Sequence, residues 1–130
     1  MIEEGLKEVA RLCVGDSHIT DELTFNEYSC EAIKTAICPK DMDILYPLIG
    51  LTGETGEVAE KIKKVYRDND GYFDPLVRME ILKELGDCLW YINKMCIDLG
   101  FTFEDCALFN LEKIRKRKKQ DKLHGNGDNR

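Results

Sequence analysis

Apolar residues recur at helical spacing through most of the chain, and nowhere do they alternate with polar ones over more than a few positions. Projected at about 100° per residue, Pro47, Leu51, Val58, Ile62 and Val65 fall on one stripe. Further on, Ile81, Leu85, Cys88, Leu89, Ile92, Met95 and Cys96 form a second, broader stripe. Cap and turn signals divide the pattern into elements. Residues 2–14 allow a first helix, interrupted by Gly5 and ended by Gly15-Asp16-Ser17. Thr24 with Glu27 three positions on is a capping box, which predicts a helix to about Ile37 ahead of Pro39. Asp41 or Asp43 can cap a long helix that continues to about Tyr66 and breaks at Arg67-Asp68-Asn69-Asp70-Gly71. Asp74-Pro75 opens another long helix, which ends at Leu99 and Gly100. Thr102 with Asp105 starts a last one, through about Gln120. No Asn-Gly or Asp-Gly turn joins two β-branched runs, so the fold class is an all-α helical bundle. Residues 1–23 read as an N-terminal extension of helical character, 24–120 as the main domain, and 121–130 as a polar, glycine-rich tail.

The chain has 130 residues with a net charge of −6, enough for one modest core and too acidic for general binding to nucleic acid or anionic lipid. That charge is unevenly spread. Residues 111–130 carry eight basic and three acidic side chains, so a basic end follows a strongly acidic body. No apolar run approaches a membrane span, and Met1-Ile2-Glu3-Glu4 lacks the basic start of a signal peptide. A cytoplasmic protein without nucleic-acid or membrane partners is the expectation. The six cysteines include no CxxC pair, and Cys88 and Cys96 fall inside a helical pattern, so they read as reduced thiols rather than disulfides or zinc ligands.

Carboxylates stand beside both apolar stripes. On the first long helix Glu54 lies at the stripe's edge, Glu57 is about 60° further round and Glu60 is nearly opposite. On the second, Glu84 and Asp87 hold the same i, i+3 relation at the stripe's margin. Such pairs repel one another, and a divalent cation would reverse the sign of that interaction. Oxygen donors without thiol or imidazole suit Mg²⁺ or Mn²⁺. Spacing alone serves equally well for two solvated faces, with Lys61, Arg78 and Lys83 as weak surface partners. A ferritin-like di-iron centre has little support, because His18 and His124 both lie outside these helices.

The run Leu51-Thr52-Gly53-Glu54-Thr55-Gly56-Glu57-Val58-Ala59-Glu60, followed by Lys83-Glu84-Leu85-Gly86-Asp87-Cys88-Leu89-Trp90-Tyr91, resembles the MazG-type all-α nucleoside triphosphate pyrophosphohydrolases. Phe25-Asn26-Glu27-Tyr28, Asn110-Leu111-Glu112-Lys113 with Arg117, and the Gly125-Asn126-Gly127-Asp128 tail extend the resemblance over residues 24–130. It implies Mg²⁺-dependent hydrolysis, with Mn²⁺ a possible substitute, of a (deoxy)nucleoside triphosphate between the α and β phosphates. The acidic site would lie between the two long helices and be completed by oligomerisation. Glu54, Glu57, Glu84 and Asp87 match the family's metal ligands, and either Glu54 or Glu57 would serve as general base. Gly53 stands where many members carry a further glutamate.

Asn110, Lys113 and Arg117 share one side of the last helix, and the family pattern favours them for phosphate or sugar contacts. Lys61 and Lys64 are weaker phosphate candidates, and Tyr91, one turn after Asp87, could stack on a base or simply pack. Trp90 and Ile97, like Tyr46 and Ile49, lie away from the main stripes. Helices with two apolar faces suggest burial against a second subunit, in keeping with a homodimer or homotetramer. The competing reading is a non-catalytic helical interaction module that carries its acidic pairs as surface charge.

Overall fold

The computed structural model describes residues 23–120. Among them are four helices and no strand: α1 (Phe25–Ile33), α2 (Leu45–Asp68), α3 (Pro75–Asp98) and α4 (Phe103–Lys119). The expected helix over residues 2–14, the thiol of Cys13 and the tail at 121–130 lie outside the described residues. The five described cysteines are free thiols.

Local chemistry accounts for most of the boundaries. Thr24 and Glu27 close the capping box on α1, as Thr102 and Asp105 do on α4. Asp74 accepts from the Val77 N–H at 3.0 Å, with Pro75 at the first position of α3. Gly100 takes φ +81° just beyond that helix, a conformation that costs glycine little.

Two boundaries differ from the sequence expectation. Helix α1 stops at Ile33 rather than near Ile37, because its last turn is occupied from outside. The Ala32 carbonyl accepts the Thr35 hydroxyl at 2.7 Å and the Trp90 indole N–H at 3.1 Å. Helix α2 is capped by neither Asp41 nor Asp43. Its N-cap is Ile44, held at φ +65° with no side-chain cap, and the Ile44 N–H donates to Asp98 at 3.1 Å. Asp98 also pairs with Lys94 inside the protein, so the end of α3 fixes the start of α2.

Helices α2 and α3 form the principal packing unit, an antiparallel hairpin. Lys61 meets Glu80 and Glu84, Thr55 meets Cys88, and Gly50 meets Tyr91, so steps back along α2 match steps forward along α3. Pro47 and Val65 of the α2 stripe are buried, while Leu51, Val58 and Ile62 are half-buried. Helix α1 crosses α3 through Trp90 and meets α4 through Phe103, whose ring lies 5.0 Å from Phe25 and 5.8 Å from Tyr28. Trp90 therefore docks on α1 of its own chain, not on the intersubunit face assigned to it from periodicity. On the α3 stripe expected to face the core, Leu85 and Leu89 remain 48% and 37% exposed. No helix among the described residues is long and apolar enough to cross a membrane.

Candidate active site

The hairpin register brings three carboxylates together. Glu54 of α2 faces Glu84 and Asp87 of α3, and one ligand atom from each lies within 4.8 Å of the other two. Glu54 and Glu84 are half-buried, whereas Asp87 is exposed. Partial burial raises the Glu54 pKa above its ordinary value, and the charges of Asp87, Glu84 and Glu57 raise it further. Glu57, one turn along α2, is exposed; it contributes to this field without joining the three-carboxylate group. The donor set is all carboxylate oxygen, the chemistry that suits a hard divalent cation. A cation there would offset the mutual repulsion of the three acids.

Lys61 borders the group, with Nζ 3.2 Å from Glu84 and 3.5 Å from Glu80. The hydrogen bond to Glu84 raises its pKa, with a smaller contribution from Glu80. Lys64 pairs instead with Glu60 at 3.5 Å, and both lysines line a further cleft that runs toward the hairpin turn, near Asp68, Asn69 and Asp74.

On the other side of the acids, a cleft of about 350 Å³ is lined by Thr35, Ile37, Tyr46, Glu54, Asp87, Trp90 and Tyr91. Trp90 is clamped by hydrogen bonds from its indole N–H to the Ala32 carbonyl and to the Thr35 hydroxyl at 2.9 Å. Tyr91 stands edge-on to it, with centroids 5.1 Å apart at 85°. Burial raises the Tyr91 pKa, aided by Tyr46, Glu54 and Asp87. Burial does the same for Tyr28 of α1, with a further contribution from Asp87. The cleft thus joins an aromatic wall to two of the three acids.

A family model for the MazG nucleotide pyrophosphohydrolase domain matches residues 47–121, more than half of the chain. The chain belongs to this family. A similar protein is the Gene 37 protein of Mycobacterium phage L5, 37% identical over 109 residues that cover 79% of this chain and 96% of the phage protein. No solved structure matches. Membership in the MazG family gives the all-α architecture and a nucleotide pyrophosphohydrolase kind of activity.

Within this MazG domain, the sequence-predicted residues are distributed unevenly. Glu54, Glu84, Asp87, Lys61 and Tyr91 converge, with Glu57 next to them. Asn110 and Lys113 line an apolar cleft with Cys96, Leu99, Phe101 and Phe109. Cys96 is nine residues beyond Asp87, about 13 Å along α3. Both Asn110 and Lys113 are exposed, and Arg117, one turn on, is half-buried. Thr35, Ile37, Tyr46 and Trp90 were not singled out for the site from sequence. Thr35 and Ile37 fall where the last turn of the first capped helix is expected and instead form the loop after α1, and Trp90 has only its periodicity to place it.

Proposed function

We propose that the chain hydrolyses a nucleoside triphosphate between the α and β phosphates, releasing the monophosphate and pyrophosphate, with Mg²⁺ as the working ion and Mn²⁺ as a substitute. The observation that carries this reading is the convergence of Glu54, Glu84 and Asp87 at an aromatic-walled cleft in a MazG-family chain.

A triphosphate carries about four negative charges, so carboxylates can hold it only through cations. Glu54, Glu84 and Asp87 would hold the ion, and Glu57 would complete the set by a change of rotamer. When bound, the ion supplies Lewis-acid polarisation of phosphoryl oxygen and a lowered pKa for water. Either Glu54 or Glu57 would take a proton from that water. Lys61 can swing from Glu84 to a phosphate oxygen. The nucleoside occupies the cleft between Tyr46, Tyr91 and Ile37. Gly50-Leu51-Thr52-Gly53 has neither the spacing nor the lysine of a loop that cradles β and γ phosphates for terminal transfer.

The working form in this reading is a homodimer or homotetramer. Leu85 and Leu89 on α3, Leu48 and Ile49 on α2, and Leu111 and Ile114 on α4 are all exposed, a distribution suited to burial against a second copy. In such an assembly α4 of one copy can bring Asn110, Lys113 and Arg117 to another copy's acids. The substrate would be a free cytoplasmic nucleotide, since the net charge of −6 opposes nucleic acid.

The test is thermal unfolding with and without Mg²⁺. A true carboxylate site gains about 2.7 kcal/mol at a hundredfold excess of ion over Kd. An interaction module with the same charges gains nothing specific, and that result would overturn the proposal.

A further inference from the structure

Three glycines punctuate the part of α2 that approaches the acids, and the space around them differs sharply. A Cβ built on Gly53 or Gly56 would meet nothing within 4 Å. A Cβ on Gly50 would press into the face of the Tyr91 ring, too close to Cε1 and Cζ for any carbon contact and only 2.7 Å from Cδ1. Gly50 lies within a helix, where alanine is favoured over glycine and no positive φ calls for it. Space is therefore what position 50 provides.

The ring resting on Gly50 has Trp90 edge-on to it at 5.1 Å, and Trp90 is itself tied to α1 by its two indole hydrogen bonds. The same ring forms part of the wall of the cleft that Ile37, Tyr46, Glu54 and Asp87 also line. Anything that lifts Tyr91 off α2 therefore moves a wall of the cleft beside the acids.

We propose that Gly50 is a positioning residue: it is the seat on which Tyr91 lies flat, and this seating sets the width of the nucleoside cleft. The inference rests on the functional reading above. It adds that binding of the nucleoside is controlled from a position that touches neither metal nor substrate.

The experiment is a double-mutant cycle of Gly50→Ala and Tyr91→Leu, read by steady-state kinetics, Mn²⁺ binding and the emission of Trp90, the chain's single tryptophan. In the otherwise unchanged chain, Gly50→Ala should raise KM for a nucleoside triphosphate about tenfold, the scale of one misplaced methyl in a pocket. The same variant should hold kcat within about twofold, because the lost interaction concerns binding rather than chemistry. Mn²⁺ affinity should not move, and Trp90 emission should change as its neighbour is displaced. In the Tyr91→Leu background the same substitution should have no further effect on KM or emission. An equal KM rise in both backgrounds, or no KM change in the first, overturns the proposal. If Gly50→Ala does not fold, Tyr91→Trp presses on the seat from the opposite side and must give the same KM rise; an unchanged KM there overturns the proposal. If the unmodified protein releases no pyrophosphate from any nucleoside triphosphate, the functional reading fails. Trp90 emission then still decides the seat: a change on Gly50→Ala that vanishes with Tyr91→Leu supports it, and no change overturns it.

Discussion

Replacing Asp98 with alanine removes two contacts at once: the ion pair with Lys94 and the hydrogen bond from the Ile44 N–H. The side chains of Lys94 and Asp98 are only 9% and 7% exposed, so the variant leaves an ammonium without its partner in a largely dry setting. Breaking such a pair from one side costs about 3 kcal/mol, taken at the low end of its range because the pair sits at a helix terminus. Ile44 adds to the loss, since a β-branched residue at φ +65° persists only while its surroundings enforce it. For a chain of this size the sum corresponds to a fall in Tm of about 10 °C. The assay is thermal unfolding at one fixed protein concentration, because association would otherwise shift the midpoint. The acid limb offers an internal check. Burial works to raise the Asp98 pKa, but the hydrogen bonds from Lys94 and Ile44 outweigh it and hold the group below 3.8. The stability it contributes is therefore complete above 3.8 and lost as pH falls through the lower folded value. Asp98→Ala should accordingly lose least at the acid end. The paired change Lys94→Met with Asp98→Leu should recover most of the ion-pair loss. A Tm within about 2 °C of the parent for Asp98→Ala would mean that Asp98 does not hold the start of α2, since such a shift corresponds to well below one kcal/mol for a chain of this size.

The acids yield further outcomes. Glu54 has a raised pKa, so in the metal-free protein its contribution to stability declines as pH rises from 4.5 through the folded value. Glu54→Gln should stabilise the metal-free chain at neutral pH by about 0.5 kcal/mol while weakening Mn²⁺ binding, and denaturant melts across pH with and without ion would check both. Glu57→Gln and Asp87→Asn should each abolish Mg²⁺-dependent turnover with the circular dichroism spectrum intact; near-normal activity in both would sink the metal assignment. Sedimentation at micromolar concentration should find an assembly larger than one 15.0 kDa chain, and a stable, active monomer would contradict the role given to the exposed leucines.

What could be read from the sequence was whatever local chemistry determines. Thr24, Thr102 and Asp74 announce helix starts because a cap is a contact within three residues, and all three caps are present. Glu54, Glu84 and Asp87 could be placed at stripe margins because helical phase is set by counting alone. The start of α2 could not be read that way, since Ile44 is held by Asp98, 54 positions away. Nor could the early end of α1, which depends on Trp90 reaching Ala32 across 58 positions. Periodicity showed that Trp90 lies off the main stripe without showing which neighbour it meets. The aromatic half of the cleft was hidden for the same reason. Tyr46, Thr35 and Trp90 become neighbours only when α1, α2 and α3 pack.

Product chromatography at early times shows which bond is broken. With Mg²⁺ and a nucleoside triphosphate, the acids should direct water to the α-phosphorus with pyrophosphate as the leaving group, its charge shared by the ion and the nearby cations. The predicted result is nucleoside monophosphate and pyrophosphate in equal amounts from the first time point, with no diphosphate passing through. Accumulation of nucleoside diphosphate with orthophosphate would contradict the account, even if the same carboxylates proved to bind the ion.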